Sequence, residues 1–224
     1  AARPSEPPVA QPALPSAAHL PADWVIAIGS STGGVQALTR ILPEFPADTP
    51  PIVIVQHMPE GFTAAFARRL DGLCPMQVRE AADGDTLERG RILIAPGGLR
   101  HMQLVTAGGR PRVALVEGDP VSYSRPSVDV LFTALARVCA PRCSAAILTG
   151  MGSDGAAGLL AIRQAGGRTF AQDEASSQIY GMPARAWERG GAEDQVPLTQ
   201  MVPRLLGSVR AGLAAGYPRQ PALP

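Results

Sequence analysis

Apolar residues recur along this chain in two rhythms. Short runs such as Ile52-Val53-Ile54-Val55 and Ala145-Ala146-Ile147-Leu148 are apolar on both faces, as in strands of a parallel sheet covered on both sides. Between them, apolar positions return at helical spacing, as at Val35, Leu38, Ile41 and Leu42. The pattern predicts strands over 24–28, 52–56, 91–95, 102–105, 112–115, 145–149 and 168–170, and helices over 35–42, 63–73, 128–140, 155–165, 183–189 and 201–211. The alternation implies an α/β fold: three α/β/α layers around a mainly parallel, doubly wound sheet. The paired runs 102–105 and 112–115 flank Gly108-Gly109 and predict an inserted antiparallel hairpin.

The ends carry no such rhythm. Residues 1–22 are rich in Pro and Ala and are expected to be a disordered linker, with something joined upstream of it. Residues 23–211 form the expected folded domain, and 212–224 an expected flexible tail. With 224 residues, 46% of them hydrophobic, one sizeable core can be buried. A net charge of +1 with interspersed signs argues against nucleic acid or a polybasic membrane patch as partner. No apolar run approaches the ~20 residues of a membrane span, so the chain is not expected to insert in a membrane. Cys74, Cys139 and Cys143 lack metal-binding spacing, which leaves no cofactor or metal implied. They read as core filler in a reducing cytoplasm.

Chemistry concentrates where strands end. The first strand runs into Gly29-Ser30-Ser31-Thr32-Gly33 and then a helix. Such a turn suits either a raised nucleophile or a backbone cradle for an anion. In a doubly wound sheet, function gathers beyond the carboxyl ends of the strands. Three loops there deliver Ser30-Ser31-Thr32, His57-Met58 and Gly150-Met151-Gly152-Ser153-Asp154-Gly155. A serine, a histidine and an aspartate on one edge are the parts of a nucleophile, a base and an orienting carboxylate.

The histidines narrow the choice. His19 lies in the linker, and His101 falls in a loop leading into the strand at 102–105. Only His57 leaves a strand on the same edge as Ser31. Among the acids, Asp129 reads as capping chemistry at a helix start, and Asp83 and Asp85 as turn residues. Asp154 stands before a helix, where capping that helix would by itself explain it. The amides of Met151 and Gly152 beside it are candidate oxyanion donors.

The same loop supports a rival. Gly150, Gly152 and Gly155 match GxGxxG, and Asp173 and Glu174 follow at the spacing of a ribose-binding acid, as in a dinucleotide-binding module. Against it, Asp154 would set a carboxylate beside the pyrophosphate. A third reading is a scaffold that binds a receptor without turnover, through a surface around Phe62, Phe66 or Arg125. An α/β-hydrolase is excluded, because no histidine follows Asp154.

Longer motifs carry a resemblance. The segments IAIGSSTGG, VQHMPEGFTAAFARRL, ILIAPGGLRHMQL, RPSVDVLF, ILTGMGSDGAAGL and AQDEASSQIYGMPARA are similar to the catalytic domain of CheB, the bacterial chemotaxis protein-glutamate methylesterase. The resemblance covers about residues 23–200. It implies an esterase that hydrolyses γ-glutamyl methyl esters on chemoreceptor cytoplasmic helices and releases methanol, with glutaminyl deamidation as a second activity. Carried over, Ser31 is the nucleophile, His57 the base, Asp154 the orienter and the Met151 amide an oxyanion donor, while Thr32 and Met58 line the site. Ser30 stands where the family usually has alanine, Ser124 where it often has His, and Ser153 where Asn is common. Family members usually carry an upstream phosphoacceptor receiver domain. Its absence from these residues implies an accessible site. Ser30 is the competing nucleophile, and Ser30→Ala is expected to be nearly silent.

Overall fold

The computed structural model describes residues 20, 21 and 23–214. Most of the expected linker, and the tail from 215 onward, therefore lie outside the described residues. Seven strands form one wholly parallel sheet in the order β3-β4-β2-β1-β7-β8-β9. They are β1 (Val25–Ser30), β2 (Ile52–Gln56), β3 (Gln77–Glu80), β4 (Arg91–Ile94), β7 (Cys143–Ile147), β8 (Arg168–Gln172) and β9 (Asp194–Val196). β5 (Arg100–Ala107) and β6 (Arg110–Glu117) pair antiparallel as a separate two-stranded sheet. The hairpin turns at Gly108 and Gly109, with φ of 59° and 72°. Two successive left-handed residues match the twist of the flanking strands, and glycine adopts them without a Cβ penalty.

The alternation of side chains explains the layering. Ile26, Ile28, Ile52, Ile54, Ile92 and Ile94 face one side. There they meet α1 (Gly34–Ile41), α2 (Phe62–Asp71) and α6 (Leu198–Ala214). Val25, Ala27, Val53, Val55 and Leu93 face the other, against α3 (Val128–Val138), α4 (Ala156–Gln164), α5 (Met182–Glu188) and the hairpin. Neighbouring residues thus enter different cores because a strand has period two.

Chain direction reverses beside β1. From β1 the chain passes to β2, on to the edge strand β3 and back to β4 between them, and after the hairpin crosses to build β7, β8 and β9 on the opposite flank. The switch lies between β1 and β7: the chain after β1 leads to α1 on one face of the sheet and the chain after β7 to α4 on the other, the place where sheets of this kind carry their function.

Several boundaries differ from expectation. β3 and β9 were not predicted: each is a sheet edge, too short or too polar to show periodicity. His101 lies inside β5 and is buried, not in a loop. Leu20, placed in the linker by composition, is buried in the core, and its carbonyl accepts from Arg89 Nη2. α6 continues to Ala214, past the expected end at 211.

Candidate active site

The Gly29–Gly33 turn follows β1 directly, and it separates its two serines. Ser30 is fully buried and its hydroxyl donates to Gln56 Oε1 at 2.7 Å. Gln56 Nε2 in turn donates to the carbonyls of Ser31 (2.9 Å) and His57 (3.0 Å). One side-chain amide thereby ties the β1 turn to the end of β2. Ser31 is half-buried, and its hydroxyl makes no hydrogen bond among the described residues. Its amide donates to Thr149 O at 3.0 Å, which joins the turn to the loop after β7. That loop lies close, since a Cβ on Gly150 would fall 2.8 Å from Ser31 Cβ. Only glycine admits this approach.

His57 sits at the end of β2, with its amide donating to Ser30 O at 3.0 Å. Its Nε2 lies 2.8 Å from Asp154 Oδ2. A carboxylate only accepts, so this contact places the proton on Nε2 and leaves Nδ1 as the basic nitrogen. Among the described residues no hydrogen bond joins Nδ1 to Ser31 Oγ. Catalytic contacts of this kind are often long before substrate binds. The hydroxyl of Ser124 lies 3.4 Å from Nδ1 instead.

Asp154 is buried and its carboxylate is fully engaged. Oδ1 accepts from Ser127 Oγ (2.7 Å) and Asp129 N (3.0 Å), and Oδ2 from Val128 N (2.7 Å) as well as His57. The negative group therefore sits on the N-terminus of α3, where free amides and the helix dipole favour it. It does not cap its own helix: α4 begins after Gly155, with no side-chain cap. Gly29 and Gly155 make room for this arrangement. A Cβ on either would come within 2.5 Å of Val128 Cγ1 (2.3 and 2.5 Å).

The remaining predicted residues fall around this centre. Thr32 is exposed on the nucleophile turn, and its carbonyl accepts from Thr149 Oγ1 at 2.9 Å. The amides of Thr32 and Met151 donate to no protein acceptor among the described residues. The Met151 side chain is largely exposed. Met58 is half-buried and packs against the core on the α1 side of the sheet. Phe66, a candidate for a receptor surface, is buried in that core. Arg125 is bound to the carbonyls of Gly98 (3.1 Å) and Gly118 (2.8 Å). Phe62 remains exposed.

Burial raises the Cys139 thiol to about 12 and the Cys74 thiol to about 11, which removes both as nucleophiles near neutral pH. Among the described residues no group of three or more His, Cys, Asp or Glu is arranged to hold a metal ion. In the dinucleotide reading Asp173 would hold a ribose, yet its Oδ1 accepts from Ser176 N and Oγ in a local turn.

Sequence reasoning missed the supporting residues Gln56, His101 and Ser127. Gln56 had a visible signal, a lone amide closing an otherwise apolar strand. His101 Nδ1 accepts from Ser127 N at 3.1 Å and its Nε2 donates to Asp119 O at 3.0 Å, so it clamps both ends of the 119–127 segment. Nothing in the spacing of these residues announces that clamp.

Residues 26–205 match the family model described as CheB methylesterase. The chain belongs to the CheB methylesterase family. It is 61% identical over 214 residues to protein-glutamate methylesterase/protein-glutamine glutaminase 2 of Cereibacter sphaeroides, covering 96% of this chain and 58% of that protein. A Geobacter metallireducens protein named protein-glutamate methylesterase/protein-glutamine glutaminase 3 is 53% identical over 182 residues, covering 81% of this chain and 51% of its own length. The chain thus spans between half and two thirds of the length of these curated relatives. The Thermotoga maritima CheB methylesterase catalytic domain superposes with a TM-score of 0.80 at 37% identity. The match covers 82% of this CheB-family chain and 97% of that domain.

Proposed function

We propose that this chain hydrolyses γ-glutamyl methyl esters on the cytoplasmic helices of chemoreceptors, releasing methanol, and deamidates receptor glutamines at the same site. The observation that carries the reading is His57 bonded at 2.8 Å to buried Asp154, beside the uncommitted Ser31 hydroxyl. The names of the relatives supply the substrate class.

The reaction follows from the placement of the atoms. Ser31 Oγ attacks the ester carbonyl while His57 Nδ1 takes its proton. Asp154 holds the ring and stabilises the imidazolium. The amides of Met151 and Thr32 hold the oxyanion, as expected for the residue that follows an elbow nucleophile. Nδ1 then protonates the methoxy oxygen and methanol leaves. Water attacks the acyl-enzyme, Nδ1 takes a water proton and returns it to Ser31 Oγ, and a glutamate side chain is released. The reaction takes place in the cytoplasm. Among the described residues no helix is long and apolar enough to cross a membrane. An upstream receiver domain fits the relatives' greater length as a regulator.

Methanol release from methylated receptor membranes tests the reading. Ser31→Ala is expected to abolish it with the fold intact, and a phosphonate probe is expected to label Ser31. A fully active Ser31→Ala variant would overturn it.

A further inference from the structure

A second hydroxyl meets the base. Ser124 Oγ lies 3.4 Å from His57 Nδ1, the nitrogen that faces away from Asp154 and exchanges protons during the reaction. The fold holds Ser124 there with several independent devices. Val121 and Ser124 exchange backbone hydrogen bonds (3.1 and 2.9 Å) across a two-residue turn. Ser122 and Tyr123 in that turn adopt φ of 49° and 61°, a conformation that residues with a Cβ rarely take. Arg125, the residue after Ser124, donates from its guanidinium to Gly98 O and Gly118 O, and His101 pins Asp119 and Ser127 at the segment's ends. Strain and clamping concentrated beside a reactive atom point to a functional demand on position.

The two half-reactions make different demands at Nδ1. In acylation Ser31 Oγ supplies the proton. Once Ser31 is esterified its oxygen carries none, and the polar group at Nδ1 in this structure is then the Ser124 hydroxyl. We infer that Ser124 positions the hydrolytic water, which bridges its Oγ and Nδ1 in the place vacated by methanol. Water oxygen attacks the acyl carbon, one water proton moves to Nδ1, and the C–O bond to Ser31 breaks as Nδ1 delivers that proton to Ser31 Oγ. Ser124 exchanges hydrogen bonds and is left unchanged.

This rests on the esterase reading above, and the test separates the two. With p-nitrophenyl acetate, the nitrophenol burst reports acylation and the subsequent steady rate reports deacylation. Ser124→Ala is expected to keep the burst within about twofold and slow the steady rate about tenfold, the loss of one hydrogen bond to a reacting water. Intact-mass measurement should then find acetylated Ser31 accumulating. Ser124→Thr, which keeps the hydroxyl, is expected to restore deacylation to within about threefold. An unchanged steady rate in Ser124→Ala overturns the inference. Equal slowing of burst and steady rate also overturns it, because that is what misorientation of the imidazole alone would produce. If the unsubstituted protein neither labels at Ser31 nor releases methanol from receptors, the esterase reading itself fails.

Discussion

Asp154 and Asp129 each serve the helix that begins beside the other. Asp154, just ahead of α4, accepts from the first amides of α3. Asp129, in the first turn of α3, accepts from Gly158 N in the first turn of α4 at 2.7 Å. The exchange locks two helix N-termini together and fixes the carboxylate that orients His57. It also draws two negative groups close. Burial foremost raises the Asp129 carboxyl above its ordinary value, the Gly158 amide opposes the shift, and Asp154 adds to it.

The pH dependence of stability follows from that shift. Because the folded protein holds the Asp129 proton more tightly than the unfolded chain, stability falls as pH rises from the ordinary aspartate value through the raised one. Above that window the loss is complete. Asp129→Asn keeps an acceptor for Gly158 and is expected to lack this decline. Urea unfolding midpoints measured between about pH 3 and pH 7 test it; superimposable pH profiles for the two proteins would dispose of the idea.

Asp154→Asn brings amide donors where His57, Val128, Asp129 and Ser127 all donate. The imidazole then favours the wrong tautomer, as in other Ser-His-Asp sites, and kcat is expected to fall by about 10³–10⁴-fold. Stability should fall by roughly 1–3 kcal/mol, because buried donors are left facing one another. Kinetics and denaturant unfolding on the same preparation read both effects. Retained activity would remove Asp154 from the machinery.

Ser30→Ala, expected to be nearly silent for activity, still has a structural cost. It strips Gln56 Oε1 of its donor in a buried setting, with an expected cost of about 1–3 kcal/mol. Methanol release per folded molecule should stay within a few-fold of the unsubstituted protein, since Ser31 is untouched. A loss as deep as that of Ser31→Ala would mean that the nucleophile had been misplaced.

Gly29→Ala sets a methyl group 2.3 Å from Val128 Cγ1. Overpacking of that kind costs typically about 1–3 kcal/mol, and here it also pushes on an amide that holds Asp154. Adding Val128→Ala should recover part of the stability lost. A double-mutant cycle gives the coupling, and strict additivity would show that the two residues do not compete for the same space.

The parts legible in sequence are those governed by short-range pattern. Ser31, His57 and Asp154 each leave a strongly apolar strand on one edge of the sheet, so periodicity alone gathers them. β3 buries only Val78 fully among Gln77, Arg79 and Glu80, and β9 is three residues long. Neither offers a repeat to detect. The far end of the β7 prediction failed because Thr149 N donates to the side chain of Gln172 and not to the backbone of a neighbouring strand. Asp154 looked like a local cap because its true partners, Ser127 and Val128, lie more than twenty residues away. Ser124 was visible only as a departure from the family pattern; its place beside Nδ1 depends on a strained turn and two distant clamps.

Gln56 has a wider consequence. Its one amide group spends its acceptor on Ser30 and both hydrogens on the carbonyls of Ser31 and His57. The gap between attacking oxygen and base is therefore gauged by a rigid planar spacer inside the protein, independent of the surface segments around it. The exposed stretch that carries Phe62 is free to change its side chains while the spacing between Ser31 and His57 beneath it stays the same.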